Sequence, residues 1–265
     1  MRIWKLLLIL PLICGLKLID ENHKNLKNKN NWERIILRNN ATFKKFPKVD
    51  YGSSFLIRLD TAIIACTARE FIGTIDTYGD MLKIQDFPKQ LISWEMYLPK
   101  RPKEKVEVES IALQKRVEGN KALTRWISWP FLTFNLKREN ENIIPLEPSI
   151  EKIYNDDSVY IIGYDFNDNI DIVFGKVELP TDDKFTSDEI RIKTDKFLIH
   201  QNYIGAPILN MKGEVIGVFN RAYKLKKNKK GRIIVNKNKN PEGSYIEYFV
   251  NGTSMRIILG RKYGM

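Results

Sequence analysis

The chain has 265 residues, 43% of them hydrophobic and 29% charged, enough apolar material for one large all-β domain or two small barrels sharing an interface. Its 44 basic residues against 32 acidic ones give a formal charge of +12 and a pI near 9.5. That balance suits nucleic acid, anionic lipid or an acidic partner, but lysine and asparagine recur in every region, so no single face is expected to collect the charge. Two cysteines and two distant histidines exclude a disulfide-dense scaffold and a metal site at recognisable spacing.

In chain order, Met1–Leu16 opens with Arg2 and Lys5 and continues as LLLILPLICGL. A basic start and a short apolar run predict a secretory signal peptide over 1–18. An uncleaved anchor is the alternative, although the run is short for a bilayer span. Cys14 closes the run and raises lipidation, against which Leu12-Ile13 are poor matches to the small residues such processing prefers. Removal of Cys14 leaves Cys66 alone, in the apolar run IIACTA, where it reads as a buried small hydrophobe. Export (periplasmic, secreted or cell-surface) is expected from this segment, and membrane contact only through it.

Residues 19–45 form a polar lead-in with one short helix expected around NWERIILRNN. Short apolar runs split by turn residues follow: SSFLIRL, AIIACTA, MLKIQ, LISWEMYL, KVEVESIAL, PFLTFNL, SVYIIGY, DIVFGKVEL, EIRIKT, APILN, EVIGVF, RIIVN and SYIEYFV. Their lengths and their β-branched and aromatic content predict strands, and many strands with few helices predict a sandwich or barrel. Two short helices are expected, one starting near Ala68 and one in the last dozen residues, capped by Thr253 or Ser254. The polar connection Lys137 to Lys152 divides the strands into two sets. KLKKNKKGRIIVNKNKNPEG, Lys224 to Gly243, reads as a solvated basic hairpin; contact with lipopolysaccharide, lipid or nucleic acid is the sharper reading, with nucleic acid not favoured.

Two stretches carry more. Gly52 to Phe71 gives GSSFLI and then IIACTAREF; His200 to Asn220 gives HQNYIGAPILNMKGEVIGVFN. Together they resemble the trypsin-like (chymotrypsin-fold) serine proteases, in particular divergent bacterial members. That resemblance implies an all-β chain of two six-stranded-type antiparallel barrels with a short C-terminal helix, the first over 46–140 and the second over 141–265. The family's T-A-x-H is matched by Thr67-Ala68-Arg69, with Glu70 where the histidine stands. Its G-x-S-G-x-P is matched by Gly205 and Pro207, and the tight turn and second strand that follow it by Gly213, within Met211 to Glu214, and Gly217. Ile204 takes the nucleophile's place, and Asn202 that of the glycine that helps form the oxyanion hole, leaving Asn202 and Gly205 around a vestigial oxyanion region. Pro130, before FLTFNL, is the best match to the third catalytic position. SVYIIGYDFNDNIDIVFGKV resembles the strand pair opening the second barrel, with Asp165 replacing a proline.

The chemistry follows from the residue types. A serine protease needs a hydroxyl that loses its proton to an imidazole. Ile204 has no such atom, and Glu70 has nothing adjacent to activate. His23 lies in the lead-in, and His200, four residues before Ile204, reads as structural. No cofactor and no metal is implied. The expectation is a catalytically inactive homologue (a pseudoenzyme) binding a protein or peptide in the cleft between barrels. Two alternatives remain: an active peptidase using another serine (Ser53, Ser54, Ser128 or Ser158), and a basic envelope or polyanion-binding β protein.

Overall fold

The computed structural model describes residues 29–45, 48–59, 62–69, 87–112, 131–179, 189–198, 200–227 and 245–254. In them the chain forms two closed antiparallel barrels of six strands each. The first holds β1 (Ile36–Phe43), β2 (Ser53–Leu59), β3 (Ala62–Ala68), β4 (Leu91–Leu98), β5 (Arg101–Ile111) and β6 (Phe131–Leu136), closing in the order β1-β2-β3-β6-β5-β4. The second holds β7 (Ser158–Tyr164), β8 (Ile170–Val177), β9 (Glu189–Thr194), β10 (Pro207–Asn210), β11 (Val215–Lys227) and β12 (Tyr245–Ser254), closing as β10-β11-β12-β9-β8-β7. The all-β double barrel is the architecture the resemblance implies. No helix among the described residues is long and apolar enough to cross a membrane.

Side-chain alternation makes the strands. In β4, Trp94, Met96 and Leu98 are buried while Glu95 and Tyr97 turn partly outward, the period of two that a pleated strand imposes. The first barrel has an aromatic core. The one-turn helix α1 (Phe87–Gln90) delivers Phe87 to Phe43, Trp94 and Phe134, at centroid separations of 5.8, 5.8 and 6.1 Å, within the range of favourable ring contacts. The second barrel is filled mainly by aliphatic side chains, among them Ile161, Ile190, Ile192 and Ile208.

The amino-terminal expectation is corrected. The helix predicted around NWERIILRNN is confined to a 3-10 turn at Lys29–Arg34, and the residues after it are strand β1, paired with both β2 and β4. Arg38, Asn40 and Thr42 give that strand a polar face that reads as lead-in; Asn39, on the opposite face, is fully buried on partners 14 and 55 residues away. The helices expected after Ala68 and at the C-terminus fall outside the described residues, as do the 1–18 segment and the run MLKIQ.

The connection Lys137 to Lys152 is a strap tied to both barrels. Leu146 exchanges main-chain hydrogen bonds with β2, accepting from Arg58 at 2.9 Å and donating to Leu56 at 2.8 Å. Three residues later Ser149 donates to Val215 of β11 at 2.9 Å, and Val215 donates back to Glu147 at 2.8 Å. A second junction lies at β1. Arg38 pairs with Asp168 of the β7–β8 turn and lies 5.2 Å over the Tyr164 ring, while the Tyr164 hydroxyl donates to the Ile36 carbonyl. Burial pushes that phenol well above the usual tyrosine range.

Candidate functional site

The segment that the resemblance matches to a nucleophile loop is a single helical turn, α2 (His200–Tyr203), followed by an elbow at Ile204, Gly205 and Ala206 that feeds β10. The elbow needs its glycine: Gly205 has φ +85°, a region that a side chain disfavours. Its N–H donates to the Phe219 carbonyl at 2.9 Å, and Phe219 donates to Ala206 at 2.8 Å, so the elbow is stitched to β11. The turn expected at Met211 to Glu214 is present, with Gly213 at φ +84° and the Asn210 side chain accepting from Lys212 and Glu214, both at 2.9 Å.

The elbow's other side rests on the first barrel. The Ser53 N–H donates to the Ile204 carbonyl at 2.7 Å, and the Ser53 hydroxyl to the Asn202 carbonyl at 2.9 Å. Behind Ser53 stands a buried polar chain. Its carbonyl accepts from Thr67 Oγ1 at 2.8 Å and from Asn39 Nδ2 at 3.1 Å, and Asn39 Oδ1 accepts from Trp94 Nε1 at 3.1 Å. There is no room at Gly205 for a methyl: a Cβ there would sit 2.1 Å from the Ser53 carbonyl oxygen and 2.3 Å from Thr67 Oγ1.

Ile204 itself is 0% exposed and belongs to the hydrophobic cluster that spans the two barrels. Asn202 is buried within α2 and is not among the described non-glycine residues with positive φ, which are Asp156 and Asp168. A helical turn sends successive N–H groups along its axis; an oxyanion hole needs two of them aimed at one point. Glu70 and Pro130 lie outside the described residues. What is described is the strand pair leading to them: Thr67 pairs with Leu132 and Ala68 with Phe131, and a Cβ on Gly205 would sit 3.0 Å from the Ala68 nitrogen. His200 opens α2; its imidazole, His23 and Cys14 fall outside the described part.

The alternative nucleophiles fare as follows. Ser53 and Ser54 are both buried, and their hydroxyls donate to the carbonyls of Asn202 and Leu37, Ser158 is exposed at the start of β7, and Ser128 lies outside the described residues. Burial pushes the Cys66 thiol above its ordinary value, which suppresses the thiolate. Among the described residues no group of three or more His, Cys, Asp or Glu side chains is placed to hold a metal ion.

One group had no sequence signal beyond a glycine. Tyr203, next to Ile204, is 3% exposed; its ring covers Gly163, where a Cβ would sit 2.5 Å from the ring, and its hydroxyl donates to Asp171. Lys196 closes on the same carboxylate at 2.8 and 2.9 Å. Burial first, then the Asp171 contact, push the Tyr203 phenol well above the tyrosine range. Tyr203 therefore anchors α2 to the second barrel as a neutral hydrogen-bond donor.

No family model and no curated protein matches the chain. Solved structures do. Kallikrein-related peptidase 10 in complex with Zn2+ superposes with a TM-score of 0.53 at 8% identity, over 89% of this chain and 96% of that one. The active form of the Rv3671c protease from M. tuberculosis gives 0.48 at 12% identity, over 86% and 79%. The HtrA-type protease AlgW with a decapeptide gives 0.48 at 12% identity, over 86% of this chain and 63% of that one. At these identities a likeness speaks for architecture alone, and the first comparison carries it. Two closed six-stranded barrels, joined through a glycine elbow and matched over most of a known peptidase, give this chain the trypsin-like double-barrel fold.

Proposed function

We propose that the protein is an exported, non-catalytic relative of trypsin-like proteases that binds a protein or peptide between its barrels. The observation that carries this reading is Ile204: a fully buried aliphatic side chain at the position that aligns with the nucleophile. Loss of that hydroxyl alone removes most of a serine protease's turnover, roughly a million-fold in a well-studied case. Asn202 in place of the oxyanion-hole glycine supports the same reading, because a side chain there disfavours the backbone shape such a hole needs. Export rests on the basic-apolar segment at Met1–Leu16. Binding is suggested by β11, which after the irregularity at Phe219/Arg221 continues beside β12 while its β10 partner has ended at Val218. A strand edge of that kind accepts an extended peptide by main-chain pairing.

A fluorophosphonate probe tests the non-catalytic part. No covalent label is expected on the intact chain, at concentrations that fully label an active trypsin-like enzyme. Stoichiometric labelling would overturn the proposal, and mapping of the labelled serine would name the nucleophile.

A further inference from the structure

Strand β8 is covered along one side and, on the other, only at its end. It pairs with β7 from Ile170 to Lys176, but β9 reaches only Gly175, Lys176 and Val177. The hydrogen-bond rhythm says what the open edge offers. Asp165 donates its main-chain N–H to the Asn169 carbonyl at 2.8 Å, so Asn169, Asp171 and Val173 are the residues bonded to β7. Ile170 and Ile172 then turn their N–H and C=O groups the other way. Among the described residues no strand pairs with them there. The side chains of this row share a face. Ile170 and Ile172 lie partly buried against the shared core cluster, Phe174 is 59% exposed, and Lys176 is exposed. Asp168 begins the row. Its half-exposed carboxylate pairs with Arg38, which lies over the ring of Tyr164, the cross-strand partner of Ile170. In chain order the face reads acid, three apolar side chains, base.

We propose that this edge pairs with the same edge of a second copy of the chain, antiparallel, about a two-fold axis at Ile172. The order of the row selects the copy. An antiparallel partner must set a base against Asp168, apolar side chains against the next three positions, and an acid against Lys176; the row read backwards does so. The two Ile172 residues then face each other and exchange both main-chain bonds. Ile170 meets the partner's Phe174, a β-branched and aromatic pair of the kind that stabilises sheets. Asp168 faces the partner's Lys176 at each end. On the other face Asp171, already held by Tyr203 and Lys196, meets the partner's Val173. Sliding the pairing by two residues sets Asp168 against Phe174 in one direction and Lys176 against Ile170 in the other, so the charges fix the register. Such a contact is isologous and closes at two subunits. It lies apart from the elbow at Ile204 and holds whether or not that site is catalytic.

Cysteine cross-linking of the full chain tests it, in a Cys14→Ser background that leaves the buried Cys66 as its only native thiol. A hydrogen-bonded antiparallel pair sets its Cα atoms about 5.5 Å apart, within the span of a disulfide. Ile172→Cys should therefore give a disulfide dimer as its main product under mild oxidation. Lys103→Cys, exposed on the first barrel, should give only a trace. Ile170→Cys mixed with Phe174→Cys should give the mixed dimer, and neither should link to itself, since like positions then lie about 13 Å apart along the strands. Adding Lys176→Glu to Ile172→Cys sets acid against Asp168 and should lower the dimer yield several-fold. Should Ile172→Cys fail to fold by circular dichroism, the Ile170→Cys and Phe174→Cys mixture reads the same register. No dimer from either set, as when an unrelated peptide is the edge's true guest, would overturn the proposal. So would equal dimer from Lys103→Cys, or Phe174→Cys linking to itself as readily as to Ile170→Cys.

Discussion

The two barrels meet on faces built from unlike materials. The first presents buried polar side chains, Asn39, Ser53 and Thr67, each engaged in a hydrogen bond. The second presents main chain and apolar side chains, with Gly205, Ile204, Leu209, Val215 and Val218 joining the shared cluster or the close contact. Here the polar side serves the elbow's carbonyls: Ser53 satisfies two of them, and Asn39 and Thr67 hold Ser53. Buried polar groups are tolerated only when satisfied, so the polar face of one barrel and the carbonyl-rich elbow of the other specify each other.

This contrast can be broken most severely at the glycine. Gly205→Ala places a methyl inside the Ser53 carbonyl and forces a side chain onto φ +85°; a loss of about 4 kcal/mol or more is expected, read by urea unfolding. The polar face comes next. Asn39→Ala strips Trp94 Nε1 and the Ser53 carbonyl of a buried partner and should cost about 3 kcal/mol by the same measurement. On the other barrel, Tyr203→Phe keeps the ring over Gly163 and removes only the bond to Asp171, for a loss of about 1.5 kcal/mol. If Tyr203→Phe proved costlier than Asn39→Ala, the junction would depend on the second barrel's anchor more than on the first barrel's polar face.

The smallest effect concerns acid. The Asp165 carboxyl is held below its ordinary value by the Asn169 and Asn167 amides, that of Glu104 by Asn142 and Asn140, and that of Glu107 by Lys137. Each is lowered in the folded state, so each contributes stability above the ordinary carboxylate range near pH 4 and loses it as pH falls through the lowered value. Thermal unfolding should shift down between about pH 5 and pH 3. Asp165→Asn, at the tip of the second barrel's hairpin, should make that shift smaller; an unchanged shift would assign the acid sensitivity to the first barrel.

Strands were legible in the sequence where each carries its own signal: β4 and β9 can be read from side-chain period, β7 and β12 from their β-branched and aromatic runs. The elbow was legible through Gly205, Pro207 and Gly213, whose backbone demands few other residues meet. β1 was not, since Asn39 is strand-compatible only because Trp94 and Ser53 wait for it. The Tyr203–Asp171–Lys196 group was invisible for the same reason: its members meet only once β8 lies under α2. The motif positions at Ile204 and Asn202 could be read locally, yet that Ile204 is sealed in a cluster spanning both barrels is a property of the folded whole.

The strap at Leu146 to Ser149 has a further consequence. Its main chain is a member of one barrel's ladder and, three residues on, of the other's. Hinge opening would tear backbone pairs at both ends, so the strap ties the two barrels together as one body. For the binding role proposed above, the entropic penalty of fit would then fall on the guest rather than on the host.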